Sequence, residues 1–405
     1  MRLLERKILH VDVNNAFLSW TAVEMLKNGA EVDIRTIPAI IGGDEEKRKG
    51  IVLAKSMPAK KYGIQTAEPI YFAKQKCPNL QIYQSNFKVY HEYSNRLYQL
   101  LCEYTDQIER FSIDECFLDI TNFIPQGKTQ LQIAYEIQKR VKEELEFTVN
   151  IGVASNKLLA KMASDFEKPD KVHTLYDSEI PNKMWNLPVS ELFMVGKRSL
   201  PKLERLGIKT IGELAKRNQQ DMINLFGKFG KLIWEYANGI DLSEVNATKE
   251  NPKCIGNSVT LPEDLNNLEK IEEILLAITQ QTTYRLRKHN LLARVVGVQI
   301  KTSEFKSYSH QRTLATPTSS TKIIFELAKD LLKECYKNEP IRLIGIKVDK
   351  LSSPEVQQIS LFDTPKNEKQ QKLDKTLDKL KEKYGYNTVT RAGQMNIDKF
   401  MDFKD

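Results

Sequence analysis

The apolar positions in the first third of the chain follow strand and helix spacings in turn. Residues 7–13 form a short apolar run that predicts a strand, and residues 20–28 predict a helix. Residues 128–146 carry apolar side chains at the 3.6-residue period of a helix, and the runs at 109–121 and 147–155 predict a strand on each side of it. Alternation of this kind predicts an α+β or α/β core.

The pattern changes further along the chain. A proline-containing connector at 169–188 leads to a compact helical stretch at 189–240, and the polar residues 238–253 predict a linker. A small α+β domain is predicted next, with helices at 268–288 and 319–336 and strands at 293–303 and 341–349. The remaining chain is polar and contains one short apolar motif and a charged helix, with Leu373, Leu377 and Leu380 at helical spacing.

Composition narrows the class of protein. A chain of 405 residues has room for about two to four domains, and no apolar run approaches the roughly 20 residues of a membrane span. Five cysteines without a CxxC pair argue against a disulfide scaffold or a zinc site, and they favour the reducing cytoplasm. The net charge of +8 is a weak indication of a polyanionic partner.

Three carboxylates stand out because they accompany apolar strand patterns. Asp12 ends the first predicted strand, and Asp114 and Glu115 interrupt the apolar run at 109–121. A buried carboxylate needs a partner, and Mg²⁺ bound together with substrate phosphates is one candidate. Adjacent strand residues face opposite ways, so Asp114 and Glu115 can share a metal only at a hairpin tip or bulge. A solvated turn with two acids is the alternative.

The motifs around these acids resemble a known family. HVDVNNAFLSW (10–20) and FSIDECFLDIT (111–121) resemble the two signature motifs of Y-family DNA polymerases, the translesion enzymes of the DinB-like and UmuC-like branches. Residues 50–70 resemble the fingers motif of that family, and residues 151–171 resemble the helix that follows its palm, with Ser155 as the predicted N-cap. The resemblance covers about residues 1–350 and leaves the branch open.

The resemblance implies an α+β multi-domain fold of the right-hand polymerase type. It has a ferredoxin-like palm, small fingers, a helical thumb with a helix–hairpin–helix, and an α+β little finger. The implied boundaries are palm 1–14 and 78–170, fingers 15–77, thumb 171–240, linker 241–253, little finger 254–350 and a C-terminal tail 351–405. The implied activity is template-directed DNA synthesis by a monomer, with low fidelity and without proofreading.

The resemblance also assigns the site residues. Asp12, Asp114 and Glu115 are expected to hold two Mg²⁺ ions, with the Val13 carbonyl as a further ligand.

Nucleotide contacts are expected at the start of the helix that follows the first strand. The backbone N–H groups of Asn15 and Ala16 are expected at the triphosphate, and Phe17 is expected as the steric gate against a ribose 2′-hydroxyl. A core phenylalanine is the alternative for Phe17. Lys60 and Lys161 are the expected cations at the triphosphate, although the commonest family pattern has arginine at the position of Lys60 and tyrosine at that of Met57.

DNA contacts are expected in two places. Residues 192–214 resemble a helix–hairpin–helix, in which Gly196, Lys197 and Gly207 approach phosphates, and a plain αα-hairpin is the alternative. The basic residues of the little finger are expected on an exposed sheet face, and a solvated basic face without a ligand is the alternative. Those chosen as DNA contacts are Arg294, Lys301, Lys306 and Arg312.

The expected partners are primer–template DNA, deoxynucleoside triphosphates and a DNA sliding clamp. The short apolar motif resembles the bacterial clamp-binding peptide and lies in a polar stretch predicted to be disordered. Its anchors are Gln358, Ile359, Leu361 and Phe362. No membrane contact is expected, and a need for recombinase or other accessory subunits stays open.

Two other classes of protein compete with this interpretation. A non-catalytic scaffold that binds DNA and the clamp would not need Asp12, Asp114 and Glu115 intact. A palm-type nucleotide cyclase would use similar acids and metals, but it would have no use for the helix–hairpin–helix, the basic domain or the clamp peptide.

Overall fold

The computed structural model describes residues 6–43, 50–248, 251–354 and 365–385, together with Val389. The chain forms two compact units. The first unit comprises Met1–Gly43 and Ile51–Lys249, and the second contains Glu250–Asp405.

The strands described in the first unit follow the predicted apolar runs. They are β1 (Ile8–Val13), β2 (Ala39–Gly42), β3 (Val52–Lys55), β4 (Gln81–Gln84), β5 (Ile108–Arg110), β6 (Glu115–Asp119), β7 (Val149–Ala154) and β8 (Val172–Thr174). A five-stranded sheet has the order β5-β6-β1-β7-β8, and a smaller sheet has the order β3-β2-β4. Every residue of β1 and β7 is buried, so these two strands form the centre of the larger sheet and its core.

The run at 109–121 was predicted as one strand, and this is wrong. β5 ends at Arg110 and β6 begins at Glu115, and the two strands pair antiparallel around a turn at residues 111–114. The hairpin tip that a shared site for Asp114 and Glu115 requires is therefore present.

The helices of the first unit cover both sheets and continue into a helical region. They are α1 (Ala16–Lys27), α2 (Met57–Lys61), α3 (Ile70–Lys76), α4 (Phe87–Leu101), α5 (Gln130–Arg140), α6 (Lys157–Ser164), α7 (Ile180–Lys183), α8 (Leu200–Arg205), α9 (Ile211–Ala215), α10 (Gln219–Phe226) and α11 (Lys228–Ala237). α5 is the helix predicted from the 3.6-residue period, and it continues as a π-helical turn at Val141–Leu145. α1 begins four residues before the predicted start, because the left-handed Asn15 (φ 48°) turns the chain directly out of β1 into the helix.

The second unit is a four-stranded antiparallel sheet with two helices packed on it. Its strands and helices are β9 (Cys254–Leu265), α12 (Leu268–Lys288), β10 (Leu292–Thr302), β11 (Ser307–Thr318), α13 (Thr321–Cys335) and β12 (Ile341–Ser352). The sheet order is β11-β10-β12-β9, and one apolar cluster joins its inner face to both helices. The sequence patterns predicted both helices and the inner strands but missed β9 and β11, the two edges of the sheet.

A last helix, α14 (Pro365–Tyr384), also packs on the second unit. Its contact is mainly polar: Arg287 of α12 binds Asp378 through Nε at 2.5 Å, and the buried Asp374 accepts a hydrogen bond from the Thr321 backbone N–H at 3.0 Å. Leu373 and Leu380 are 48 % and 36 % exposed, so these two leucines contribute little to the contact.

Among the described residues, no helix combines the length and the hydrophobicity that a membrane crossing requires.

Candidate active site

Two of the predicted carboxylates face each other at the end of the central sheet. Asp12 near the end of β1 and Glu115 at the start of β6 are direct Cα partners in the antiparallel pair. Side chains of directly opposed residues lie on the same face of the sheet, about 4.5–5.5 Å apart at Cβ. Strand pairing between residues 103 positions apart therefore brings the two acids together.

Asp114 belongs to the hairpin turn beside this pair. Its backbone carbonyl accepts a hydrogen bond from the Val13 N–H at 3.1 Å, which fixes the turn to the end of β1. The Ser112 hydroxyl lies 2.6 Å from Asp114 Oδ1 and 3.3 Å from Glu115 Oε2, so one serine connects the two acids. Sequence reasoning missed Ser112, although its place in the FSIDECFLDIT motif could have indicated it.

Lys161 reaches both opposed carboxylates from α6. Its Nζ lies 2.6 Å from Glu115 Oε1 and 3.4 Å from Asp12 Oδ2. The helix can lie this close to β7 because Gly152 has no side chain: an added Cβ would lie 1.8 Å from the Ala160 carbonyl oxygen. The sequence identified Lys161 but gave no indication of this close packing.

The predicted N-cap of α6 is wrong by one residue. Asn156 caps the helix, because its side chain accepts the Leu159 N–H at 2.8 Å. The Ser155 hydroxyl instead lies 3.2 Å from an oxygen of Asp177.

A second lysine that sequence reasoning missed joins the site. The Lys168 Nζ lies 2.8 Å from Asp12 Oδ2 and 2.9 Å from Asp165 Oδ1. Lys168 lies in the loop after α6, where lysines are frequent and no local pattern separates a site residue from a solvated one.

The charges of this cluster change one another's pKa values. Burial lowers the pKa of Lys161, but Asp12, Glu115 and Asp165 together raise it by more, so the net shift is upward. Burial also lowers the pKa of Lys168, but Asp12 and Asp165 together raise it by more, so its net shift is upward. Burial raises the pKa of Glu115, the hydrogen bond from Lys161 opposes this, and repulsion from Asp12 and Asp114 adds to it. Both ammonium groups are therefore charged at neutral pH.

The donor set suits a divalent cation with a preference for oxygen. Carboxylate oxygens are the ligands that Mg²⁺ prefers, and the Lys161 ammonium already bridges Asp12 and Glu115, so a cation fits between them. Within the part of the chain that the structure describes, no three acidic, histidine or cysteine side chains converge closely enough to enclose an ion. The Asp114 carboxylate accepts a hydrogen bond from the Ser112 hydroxyl.

The residues predicted at the nucleotide lie where β1 turns into α1. Asn15 is exposed in the turn, Ala16 is the first residue of α1, and Phe17 follows it. The half-buried Phe17 ring packs against an aromatic cluster of α1 and α4. Its ring neighbours are Trp20, Phe87 and Tyr90.

Lys60 lies on α2 in the same unit. Its side chain is exposed, and the neighbouring Met57 is 40 % exposed. The pKa of Lys55 is lowered, mainly by burial and next by the charge of Lys60. These two lysines therefore form a local basic pair.

The predicted helix–hairpin–helix residues lie at exposed turns of the helical region. Gly196 and Lys197 are exposed before α8, where the Gly196 N–H is bonded to the Ser199 hydroxyl at 3.2 Å. Gly207 joins α8 and α9 with a φ of 73°, a value that favours glycine.

The four basic residues predicted on the little-finger sheet do not share one face. Lys301 lies on the outer face of β10, and Arg294 is exposed beside the irregularity between Ala293 and Val295. Lys306 lies in the turn before β11 and pairs with Glu304 at 2.7 Å. Arg312 lies on the helix side of the edge strand, where it is hydrogen-bonded to Glu334 of α13.

Comparisons with known proteins identify the class. Residues 11–165 match the impB/mucB/samB family, and residues 252–361 match the C-terminal domain of that family. The chain is 49 % identical to DNA polymerase IV of Clostridium acetobutylicum over 389 residues. This alignment covers 96 % of this chain and 98 % of that protein. DNA polymerase IV of Acetivibrio thermocellus is 38 % identical over 394 residues, with 96 % and 97 % covered.

A solved structure has the same fold. The Y-family DNA polymerase chimera of Dbh and Dpo4 superposes with a TM-score of 0.75, covers 86 % of this chain and 99 % of its own, and is 24 % identical. Together with the matched domains, this confirms the α+β polymerase fold expected from the sequence.

The chain belongs to the impB/mucB/samB family, the Y family of DNA polymerases. Its activity is template-directed DNA synthesis of the translesion type, on primer–template DNA with deoxynucleotides, and it depends on a divalent metal. These matches extend along almost the whole chain and favour neither the scaffold nor the nucleotide cyclase.

Proposed function

We propose that the chain extends a primer 3′-hydroxyl with two Mg²⁺ ions held by Asp12, Asp114, Glu115 and the Val13 carbonyl. The observation that carries this proposal is the opposed pair of Asp12 and Glu115 with the Lys161 ammonium between them. When bound, the two ions lower the pKa of the 3′-hydroxyl and neutralise the triphosphate and the departing pyrophosphate. Asp114 would bind an ion through the carboxylate that accepts the Ser112 hydroxyl in this structure.

The protein's own groups then orient the incoming nucleotide. The N–H groups of Asn15 and Ala16 lie at the start of a 12-residue helix, where anions are stabilised by the helix dipole and unpaired donors. Lys161 and Lys60 supply cations to the triphosphate, and Phe17 closes the space beside the sugar C2′. Small fingers, with a three-stranded sheet and the short helices α2 and α3, support an open, low-fidelity site.

A sliding clamp is the proposed macromolecular partner, and the cytoplasm is the proposed location of the reaction. The clamp motif Gln358, Ile359, Leu361 and Phe362 lies outside the described residues. Support for this contact comes from the motif itself and from its position shortly after β12, the last strand of the second unit.

Primer extension on an undamaged template, with and without Mg²⁺, tests the catalytic proposal. Asp114→Ala and Glu115→Ala should each lower the incorporation rate by at least ~10²–10³-fold, because metal and electrostatic stabilisation are lost. Affinity for primed DNA should stay within a few-fold. Asp119→Asn is the matched control, since Asp119 lies on β6 but binds Thr121 instead. Extension by either alanine variant at nearly the parent rate would contradict the assignment.

A further inference from the structure

We propose that Phe111 is a positioning residue for Asp114, through which the loop before α8 controls the turn between β5 and β6. These two segments are called the α8 loop (residues 192–199) and the β5–β6 turn (residues 111–114). The Phe111 ring meets the Phe193 ring of the α8 loop edge to face, with centroids 6.0 Å apart and 62° between the ring planes. Aromatic pairs of this geometry are favourable beyond the area that they bury. The inference rests on the proposed function of Asp114 as a magnesium ligand.

Phe111 begins the β5–β6 turn and is bonded to the residues that follow it. Its backbone N–H donates to the Glu115 carbonyl at 3.0 Å, and the Ser112 N–H donates to the same carbonyl at 3.2 Å. The Ser112 hydroxyl donates in turn to the Asp114 carboxylate at 2.6 Å. Because the turn is so short, a displacement of Phe111 moves Ser112 and the Asp114 carboxylate with it.

The Phe111 side chain is too exposed to be a core residue. It is 44 % exposed, and among the described residues its ring neighbours are Phe117, at 5.4 Å between centroids, and Phe193. Phe117 is buried on β6 and belongs to the central sheet, whereas Phe193 belongs to the α8 loop. Without the Phe193 ring, Phe111 would be attached to the sheet alone. A half-exposed ring between two other rings therefore favours a positioning role.

Phe193 is itself fixed by two helices. Its ring stacks on Tyr236 of α11, with centroids 6.3 Å apart and 21° between the planes, and its N–H donates to Met162 Sδ of α6 at 3.4 Å. The next residue, Met194, has a φ of 76°, a value that is uncommon for any residue except glycine. Such a conformation persists where surrounding contacts impose it. The α8 loop is therefore held in one conformation, with Phe193 against Phe111.

DNA bound at the α8 loop would strengthen this arrangement. Gly196 and Lys197, the predicted phosphate contacts of the loop, are exposed shortly after Phe193. Phosphates bound there restrict the loop, and the contact of Phe193 with Phe111 passes the restriction on to the β5–β6 turn. Two sites that favour the same state of a shared element are coupled in both directions. DNA binding at the loop and the ordering of Asp114 therefore assist each other.

Hydrogen exchange at the Phe111 and Ser112 amides tests the coupling without catalysis. Saturating primer–template DNA, added without nucleotide or metal, should slow this exchange at least about fivefold in the parent protein. Phe193→Ala leaves the turn itself unchanged, and in this variant the DNA should slow exchange less than about twofold. Equal slowing in the two proteins would show that DNA covers the turn directly, and it would overturn the proposal. Absence of slowing in the parent protein would overturn it as well.

Single-nucleotide incorporation measures the consequence for the reaction. In Phe111→Ala, kcat at saturating Mg²⁺ should fall at least about tenfold, because a displacement of about 1 Å at a reacting centre can cost ~10²-fold in rate. The KM for nucleotide should stay within about twofold, and Phe111→Tyr, which keeps the ring, should restore kcat. Phe123→Ala is the matched control, since Phe123 is 41 % exposed and lies beyond the opposite end of β6. It should behave as the parent protein, and parent-like kcat in Phe111→Ala contradicts the proposal.

A double variant and a stability measurement separate the ring contact from a loss of structure. If the contact carries the effect, Phe111→Ala combined with Phe193→Ala should lower kcat no more than about twofold beyond the worse single variant. Multiplied effects would mean that each ring acts alone, and they refute the coupling. Urea unfolding should give Phe111→Ala the same midpoint as Phe123→Ala. A lower midpoint in Phe111→Ala alone would make the ring a structural residue and overturn the proposal.

Asp114→Ala, assayed in parallel, separates this proposal from the catalytic one. If Asp114→Ala is inactive and Phe111→Ala is fully active, only the role of Phe111 is wrong. If Asp114→Ala itself extends primers at nearly the parent rate, the proposed metal site is wrong, and the role of Phe111 falls with it.

Discussion

The ring of Phe17 stacks on the ring of Tyr90, with centroids 4.6 Å apart and 23° between the ring planes. Tyr90 is fully buried on α4, and its hydroxyl lies 3.3 Å from the hydroxyl of Thr21 on α1. Because one ring is fixed by the core, the half-buried ring of Phe17 is held in one orientation. The proposed role of Phe17 as a steric gate against a 2′-hydroxyl depends on such a fixed ring.

Phe17→Ala should therefore raise ribonucleotide use relative to deoxynucleotide use, by at least about tenfold, because the space beside C2′ opens. The quantity to measure is the ratio of kcat/KM for the two sugars opposite the same template base. Tyr90→Phe keeps the stacked ring and serves as the control. An unchanged ratio in Phe17→Ala would show that Phe17 is only a core residue.

Gly152→Ala should destabilise the first unit by about 1–3 kcal/mol, because the added methyl group meets the Ala160 carbonyl and the Ser164 N–H of α6. Displacement of α6 should also lower the incorporation rate, since Lys161 lies on it. Urea unfolding followed by tryptophan fluorescence measures the stability. Gly196→Ala, where nothing lies within 4 Å of the new Cβ, is the control for stability and should change it little.

Asp374→Ala should loosen the start of α13. Asp374 accepts the Thr321 N–H, and the helix N-cap Ser320 makes no side-chain capping bond of its own, so α14 caps α13 from a distance. Loss of such a cap costs about 0.5–2 kcal/mol. Hydrogen exchange at the first amides of α13 should accelerate. Lys375 is exposed on α14, the helix that carries Asp374, and Lys375→Ala should leave this exchange unchanged. Equal exchange in the two variants would remove this role from Asp374.

The clamp contact should depend on Leu361 and Phe362. A peptide spanning 354–366 should bind the sliding clamp with a Kd on the order of micromolar, or about −8 kcal/mol, since a short segment must be ordered on binding. Replacing both residues by alanine should abolish peptide binding and clamp-stimulated synthesis, because two apolar anchors carry most of the energy.

Synthesis on a short primer without the clamp should persist in the double variant. Stimulation that survives the double substitution would place the contact elsewhere on the chain. Loss of clamp-independent synthesis would mean that the segment is part of the fold.

The sequence by itself determined the elements that repeat with a clear period and the acids that accompany them. The buried strands β1 and β7 are mostly apolar, and α5 shows the 3.6-residue period. The motifs around Asp12 and Glu115 were sufficient to predict the polymerase family, which the matched domains confirm. Local patterns predict these elements because burial of a whole strand, or of one face of a helix, determines which neighbouring residues are apolar.

The tertiary structure alone decided which distant residues meet. The edge strands β9 and β11 escaped prediction because exposed edges need no regular apolar alternation: β11 is exposed along most of its length. In the sequence, Lys168 and Asp374 look like solvated residues of charged segments. In the fold, Lys168 lies beside Asp12, and Asp374 lies at the start of α13. The physical reason is that these features depend on contacts between segments that are far apart along the chain. Strand register, close helix packing and caps from remote residues join positions tens of residues to more than a hundred residues apart. Local spacing in the sequence does not encode such contacts.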